Sequence, residues 1–157
     1  MVVTFWPIVA AGVASVLIGW VWYHPRVFGT TWMRLANVTP EMAERGKKMM
    51  PLSVVLSLIG SMLIAYVMNY VGIAFHIFDW VGAIFELALW CWLGFIVPTS
   101  LGTILWEQRP FKLYLINTLY WLVTFIAMAL ILVLGSQTSL ANSYDTQIDA
   151  TGQFLGE

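Results

Sequence analysis

"PLSVVLSLIGSMLIAYVMNYVGI", residues 51–73, holds no charged side chain, and its polar groups are serines, tyrosines and one asparagine. A run of ~20 largely apolar residues is what a helix needs to cross ~30 Å of hydrocarbon. Backbone amides in lipid have no water to bond, so such a run is helical rather than extended. Working outward from it, three more stretches meet the same test, at about 3–23, 80–104 and 113–135. Composition agrees: 61% of the 157 residues are hydrophobic and 10% charged, where a soluble domain carries about 25% charged residues. The mean hydropathy is +0.84. The reading is an all-α polytopic membrane protein. Residues 1–135 form a four-transmembrane-helix bundle with short cytoplasmic interfacial helices, and 136–157 form a polar, acidic extracytoplasmic tail.

The N-terminus lacks Lys or Arg before its apolar run, and only Trp-Tyr-His-Pro follows it, so residues 3–23 read as retained rather than cleaved. The single cysteine, Cys91, excludes an intrachain disulfide.

Charge sets the direction. All seven basic residues fall in two connections: Arg26, Arg34, Arg45, Lys47 and Lys48 after the first span, Arg109 and Lys112 after the third. With four spans these connections share a side, and the positive-inside rule makes it cytoplasmic. Both termini are then extracytoplasmic. The tail carries only Asp145, Asp149 and Glu157 as charges. The "NVT" at Asn37–Thr39 fits a glycosylation acceptor but is inert on the cytoplasmic side.

At the end of the first span, Trp20, Trp22 and Tyr23 suit the headgroup level. Pro25 ends the helix by pushing its predecessor out of helical geometry. Phe28, Trp32 and Leu35 then recur at helical spacing, as in a short interfacial helix. This cluster reads first as an anchor and exit, second as a binding site. "TPEMAERGKK" reads as a further cytoplasmic helix beside anionic headgroups, capped by Thr39 with Pro40 in its first turn. Glu41–Arg45 and Glu44–Lys48 are its expected pairs. Pro51 separates this helix from the second span or bends it into it.

Two stretches, "WYHPRVFGTTWM" at Trp22–Met33 and "LWEQRPFKLYLINTLYWLV" at Leu105–Val123, resemble the paired signatures of domain-of-unknown-function family 1761. The matching positions are Trp22, Tyr23, Pro25, Phe28, Gly29, Trp32 and Met33, then Glu107, Arg109, Pro110, Lys112, Ile116, Asn117 and Tyr120. The likeness covers about residues 3–135, and His24 stands where the pattern has serine. It implies a small four-helix protein of a bacterial inner membrane and no particular activity. Because both signatures lie at one membrane face, they are expected to pack on each other. Glu107 has Arg26, Arg34 and Arg109 as possible partners, and an anion or ligand site there is the lesser reading.

Lipid tails are as apolar as leucine, so close packing and polar contacts must pair the helices. Ser53, Ser57, Ser61 and Ala65, ending at Asn69, repeat every four residues. So do Ala11, Ser15 and Gly19. These stripes are expected to face each other or a second copy, with a wet pathway as the alternative. Asn117, Trp121, Thr124 and Met128 form a comparable inward line. Glu86, ~9 Å in from Trp80 at 1.5 Å per residue, is expected to face the bundle. A carboxylate costs ~2.5–3.5 kcal/mol at midplane. Its expected partners are Asn69, Tyr66 and His76, and burial should raise its pKa. Pro98 with Thr99 and Ser100 predicts a kink.

HExxH, CxxC and paired-histidine spacings are missing, and no nucleophile elbow or phosphate-cradling glycine loop occurs. No metal, cofactor or enzyme activity is therefore expected, though His24 or His76 could singly ligate a pigment. Too few cations exist for nucleic acid. The tail taken alone reads as disordered, with Phe154 and Leu155 as a possible docking strap. The functional expectation is a non-catalytic membrane protein whose partners are the lipid bilayer and either a second copy or a larger membrane complex. The alternative is a small ion or solute carrier using Glu86.

Overall fold

The structure, a computed structural model, describes residues 5–75 and 82–154, with side chains as far as Gly135. Every element among the described residues is helical. Four helical stretches are long and apolar enough to cross a membrane: Phe5–Trp22, Pro40–Ala74, Ile84–Leu105 and Phe111–Gly135. The chain is thus an all-α, polytopic membrane protein. His76 and Trp80, invoked above, lie outside the described residues, as does Leu155.

Helix α1 (Phe5–Trp22) ends where His24 turns extended, at φ −65° and ψ 142°, as a residue before proline must. A wide π-turn, Pro25–Gly29, leads into the short α2 (Thr30–Leu35). Helix α3 (Pro40–Ala74) unites the "TPEMAERGKK" segment and the second span in 35 residues. Thr39 caps it, accepting from the Met42 amide at 3.3 Å, and Pro40 needs no donor in the first turn. Pro51 lies inside without ending it. Among the described residues Glu44 pairs with Lys47 at 2.9 Å, rather than with Lys48. The Glu41–Arg45 pair does not form. Both i,i+3 and i,i+4 lie within reach, and exposed pairs differ by only a few tenths of a kcal/mol.

The third crossing is broken. After α4 (Ala83–Cys91), residues Trp92–Ile96 form a second π-turn, followed by α5 (Val97–Ser100) and α6 (Gly102–Leu105). Pro98 offers no N–H to the Gly94 carbonyl and its ring crowds it, so the turn widens. The Thr99 hydroxyl donates to the carbonyls of Phe95 and Ile96. Leu101 N–H bonds to Pro98, and the Val97 carbonyl instead accepts from Tyr114 Oη at 3.3 Å.

Helix α7 (Phe111–Phe154) is continuous for 44 residues. The polar tail, expected to be disordered on composition, therefore continues the fourth span as helix through Phe154. Ser, Thr and Asn are poor helix formers, but extending an existing helix avoids the costly nucleation step.

Helix α1 packs mainly on α3 and α7, and α4 packs on α7. Ala11, Met68, Leu87, Met128 and Leu132 meet in the core, each no more than 2% exposed. The buried residues of α3 are Ser61, Ala65, Met68, Asn69 and Gly72, all in its second half. The first half, nearer the lysines and arginines, stands clear of the other helices. Helix α3 thus joins the bundle away from that basic end and departs from it toward that end.

Candidate functional site

Three signature side chains from the first connection converge on the fourth span at the basic end. Tyr23 Oη and Trp32 Nε1 both donate to Asn117 Oδ1, each at 3.1 Å. Two donors on one atom identify it as the amide oxygen, since the amide nitrogen cannot accept. Trp22 Nε1 donates to the Ile116 carbonyl at 3.1 Å. Tyr120 Oη reaches across to the Ser15 carbonyl at 3.4 Å.

The rings pack as tightly as the polar atoms. Tyr23 lies 5.3 Å from Tyr120 and 5.6 Å from Trp32 between centroids, and Trp22 lies 4.7 Å from Phe28. Such tilted pairs add about 0.5–1.5 kcal/mol each beyond buried area. A Cβ on Gly19 would sit 3.1 Å from Tyr120 Oη, so glycine leaves room for that hydroxyl. Burial, and then the neighbouring Tyr120, push the Tyr23 hydroxyl, just beyond the last residue of α1, above the ordinary tyrosine range. It stays protonated and donates.

The π-turn aims these groups. Gly29 N–H bonds to the His24 carbonyl at 3.0 Å. A Cβ at Gly29 would lie 2.2 Å from the Tyr23 carbonyl oxygen, so the turn closes only over glycine. Pro25 opens it, and His24 Nδ1 accepts from the Arg26 amide at 3.2 Å. Arg109 Nη1 donates to the Ala36 carbonyl at 3.4 Å, tying the third connection to the end of α2. The Glu107 carboxylate faces Arg109 at 4.0 Å, which is the limit of an ion pair. Among the described residues neither Arg26 nor Arg34 joins it.

Residues 6–133 match the family described as "Protein of unknown function (DUF1761)". The chain belongs to that family. No curated protein and no solved structure matches it. The DUF1761 match contains both signature stretches and stops short of the helix beyond Gly135. In this member Trp22, Tyr23, Trp32, Asn117 and Tyr120 come together, framed by Pro25 and held by Arg109.

The remaining candidates lie elsewhere. Ser61 bonds Ser15, Oγ to Oγ, at 2.9 Å in the buried α1–α3 contact. Ser57, one turn earlier, is exposed, because α3 has already left the bundle there. Asn69 is buried at 6% exposure and Tyr66 is 47% exposed. Glu86 is exposed, contrary to the expectation that it faces the bundle, and among the described residues it bonds neither Asn69 nor Tyr66. The reason is its place in the first turn of α4. There, headgroup water and the positive end of the helix dipole can both serve a carboxylate.

Sequence reasoning passed over Trp92 and Thr118. Trp92 Nε1 donates to the Thr118 carbonyl at 2.7 Å, and Thr118 Oγ1 bonds back to Tyr114 at 2.9 Å. A tryptophan inside an apolar run gives no sequence signal of the acceptor it will find. Thr124 Oγ1 is buried and makes no hydrogen bond among the described residues.

Proposed function

We propose that this chain is a non-catalytic integral membrane protein that acts through helix association, either with a second copy of itself or as an accessory subunit of a larger membrane complex. One contrast carries the reading. Trp22, Tyr23, Trp32, Arg109 and Tyr120 of the two signatures donate within the chain, whereas the most apolar 18-residue stretch of the second span is only 11% buried. A catalytic centre would need polar groups aimed at a substrate. Here the Tyr23 and Trp32 donors are aimed at Asn117. The exposed position of Glu86 lends no support to a carrier built on that carboxylate.

The grouping of the seven cations in two connections supports, by the positive-inside rule, a cytoplasmic basic end with both termini outside. Purification in mild detergent from native membranes, followed by light scattering, tests the reading. The expected result is an assembly larger than one chain, or one stoichiometric companion. A monodisperse single chain without a companion overturns it. Labelling of Lys47 or Lys48 from outside intact cells would invert the orientation.

A further inference from the structure

Two faces of α3 do different things. Ser61, Ala65, Met68 and Gly72 turn toward the rest of the chain and are buried. The opposite face carries a repeat of seven. Met42, Met49, Leu56 and Leu63 recur at that interval and are 54, 48, 58 and 64% exposed. Gly46, Ser53 and Gly60 recur at the same interval between them, and all are exposed. Each small residue follows a large one by four and precedes the next by three. At Gly46 and Gly60 nothing lies within 4 Å of where a Cβ would stand.

A seven-residue repeat, 3.5 per turn, keeps one stripe facing a partner helix in a left-handed supercoil. In a parallel two-fold pair, each large side chain enters a hole formed by four residues of the facing helix. With this register Met49 seats between Gly46 and Ser53 of the second copy, and Leu56 between Ser53 and Gly60. The small residues let the backbones approach closely, as membrane helix pairs require. The repeat supplies both its own knobs and its own holes at matching depth, so a second copy fits it in register.

Lipid accounts for an apolar outward face inside the bilayer. It does not account for Met42, Gly46 and Met49, which continue the stripe into the charged segment beyond it. There the charges avoid the stripe: Glu44 and Lys47 pair at 2.9 Å on the far side, Glu41 and Lys48 lie on its flank, and only Arg45 borders it. Pro51 also lies on the far side, so its missing N–H leaves the stripe unbroken.

We propose that α3 pairs in parallel with α3 of a second copy along Met42–Leu63, with methionines and leucines seated between Gly46, Ser53 and Gly60. This rests on the self-association reading above and adds the face and the register.

Cys91 is the one native cysteine, so single cysteines in a Cys91→Ser background can be oxidised in native membranes. Disulfide-linked dimer should peak at Gly46→Cys, Met49→Cys, Ser53→Cys, Leu56→Cys and Gly60→Cys, and fall away at Lys47→Cys and Val54→Cys. A peak on another face overturns the stripe while leaving self-association standing. A cross-link at these positions to a protein of different mass overturns the choice of a second copy. No cross-link anywhere, with a single chain by light scattering, overturns both readings. Gly60→Leu adds bulk into open space, so the fold is kept, and it should weaken the dimer at least about 10-fold. An unchanged dimer would count against the proposal.

Discussion

Helices α3 and α7 both cross the membrane and both run past it, yet 44% of the most apolar 18-residue stretch of the fourth span is buried against 11% of that of the second. Among the described residues, the fourth span accepts four side-chain hydrogen bonds from other elements. Trp22, Tyr23 and Trp32 donate to it at Ile116 and Asn117, and Trp92 does so at the adjoining Thr118. The second span shares the Ser61–Ser15 bond and an apolar contact in its second half, and nothing like the Asn117 node. Apolar content therefore does not decide which membrane helix becomes the axis of a bundle. Both spans are hydrophobic all round. The axis is the helix whose carbonyls and amide accept donors from its neighbours.

The sharpest way to break this contrast is to remove the same kind of side chain from each helix. Met128→Ala empties a fully buried position on α7 and should cost about 3 kcal/mol. Leu56→Ala on α3 should change the stability of the single chain by under about 0.5 kcal/mol. Reversible unfolding in detergent micelles reads both, and equal losses would erase the distinction. Next, Asn117→Leu leaves the Tyr23 hydroxyl and the Trp32 indole without their acceptor. About 2 kcal/mol should be lost, together with the tryptophan emission position of the folded protein.

A smaller effect is expected where α1 meets α3. Ser61→Ala removes one buried hydroxyl pair, a bond type that averages about 0.6 kcal/mol between membrane helices. A loss as large as that of Asn117→Leu would make the two contacts equivalent. pH offers a milder probe of the node. The Tyr23 pKa is raised in the folded chain, so its contribution is complete below the ordinary tyrosine value of about 10 and declines as pH rises beyond it. Tyr23→Phe should flatten that alkaline limb, as pH-jump unfolding would show. Smallest of all, Glu86→Gln should leave stability within about 0.5 kcal/mol, and a large change would place that carboxylate in a buried contact.

Much of this was legible in the letters. Length and apolarity gave the four spans, and the position of Pro25 gave the end of the first. The four-residue spacing through Ser15 and Ser61 gave the contact they make. The direction of Glu86 was not legible. Its helix is apolar on every side, so no hydrophobic stripe tells inside from outside, and a lone carboxylate is judged by cost alone. Ser57 misled for a related reason, since it shares a stripe with Ser61 but lies where the helix axes have diverged. The helical course of residues 136–154 was hidden because composition describes a segment in isolation, whereas this one begins on a helix already formed.

That unbroken course has a mechanical consequence. Nineteen residues of helix past Gly135, from the end of α7 at Phe154, make a mast about 28 Å tall at 1.5 Å per residue. Whatever its tip carries is held at a set height and compass bearing relative to the Asn117 anchor below. Deleting one residue from the mast lowers the tip by about 1.5 Å but swings it through roughly 100°, so bearing is far more sensitive than height to small changes in length.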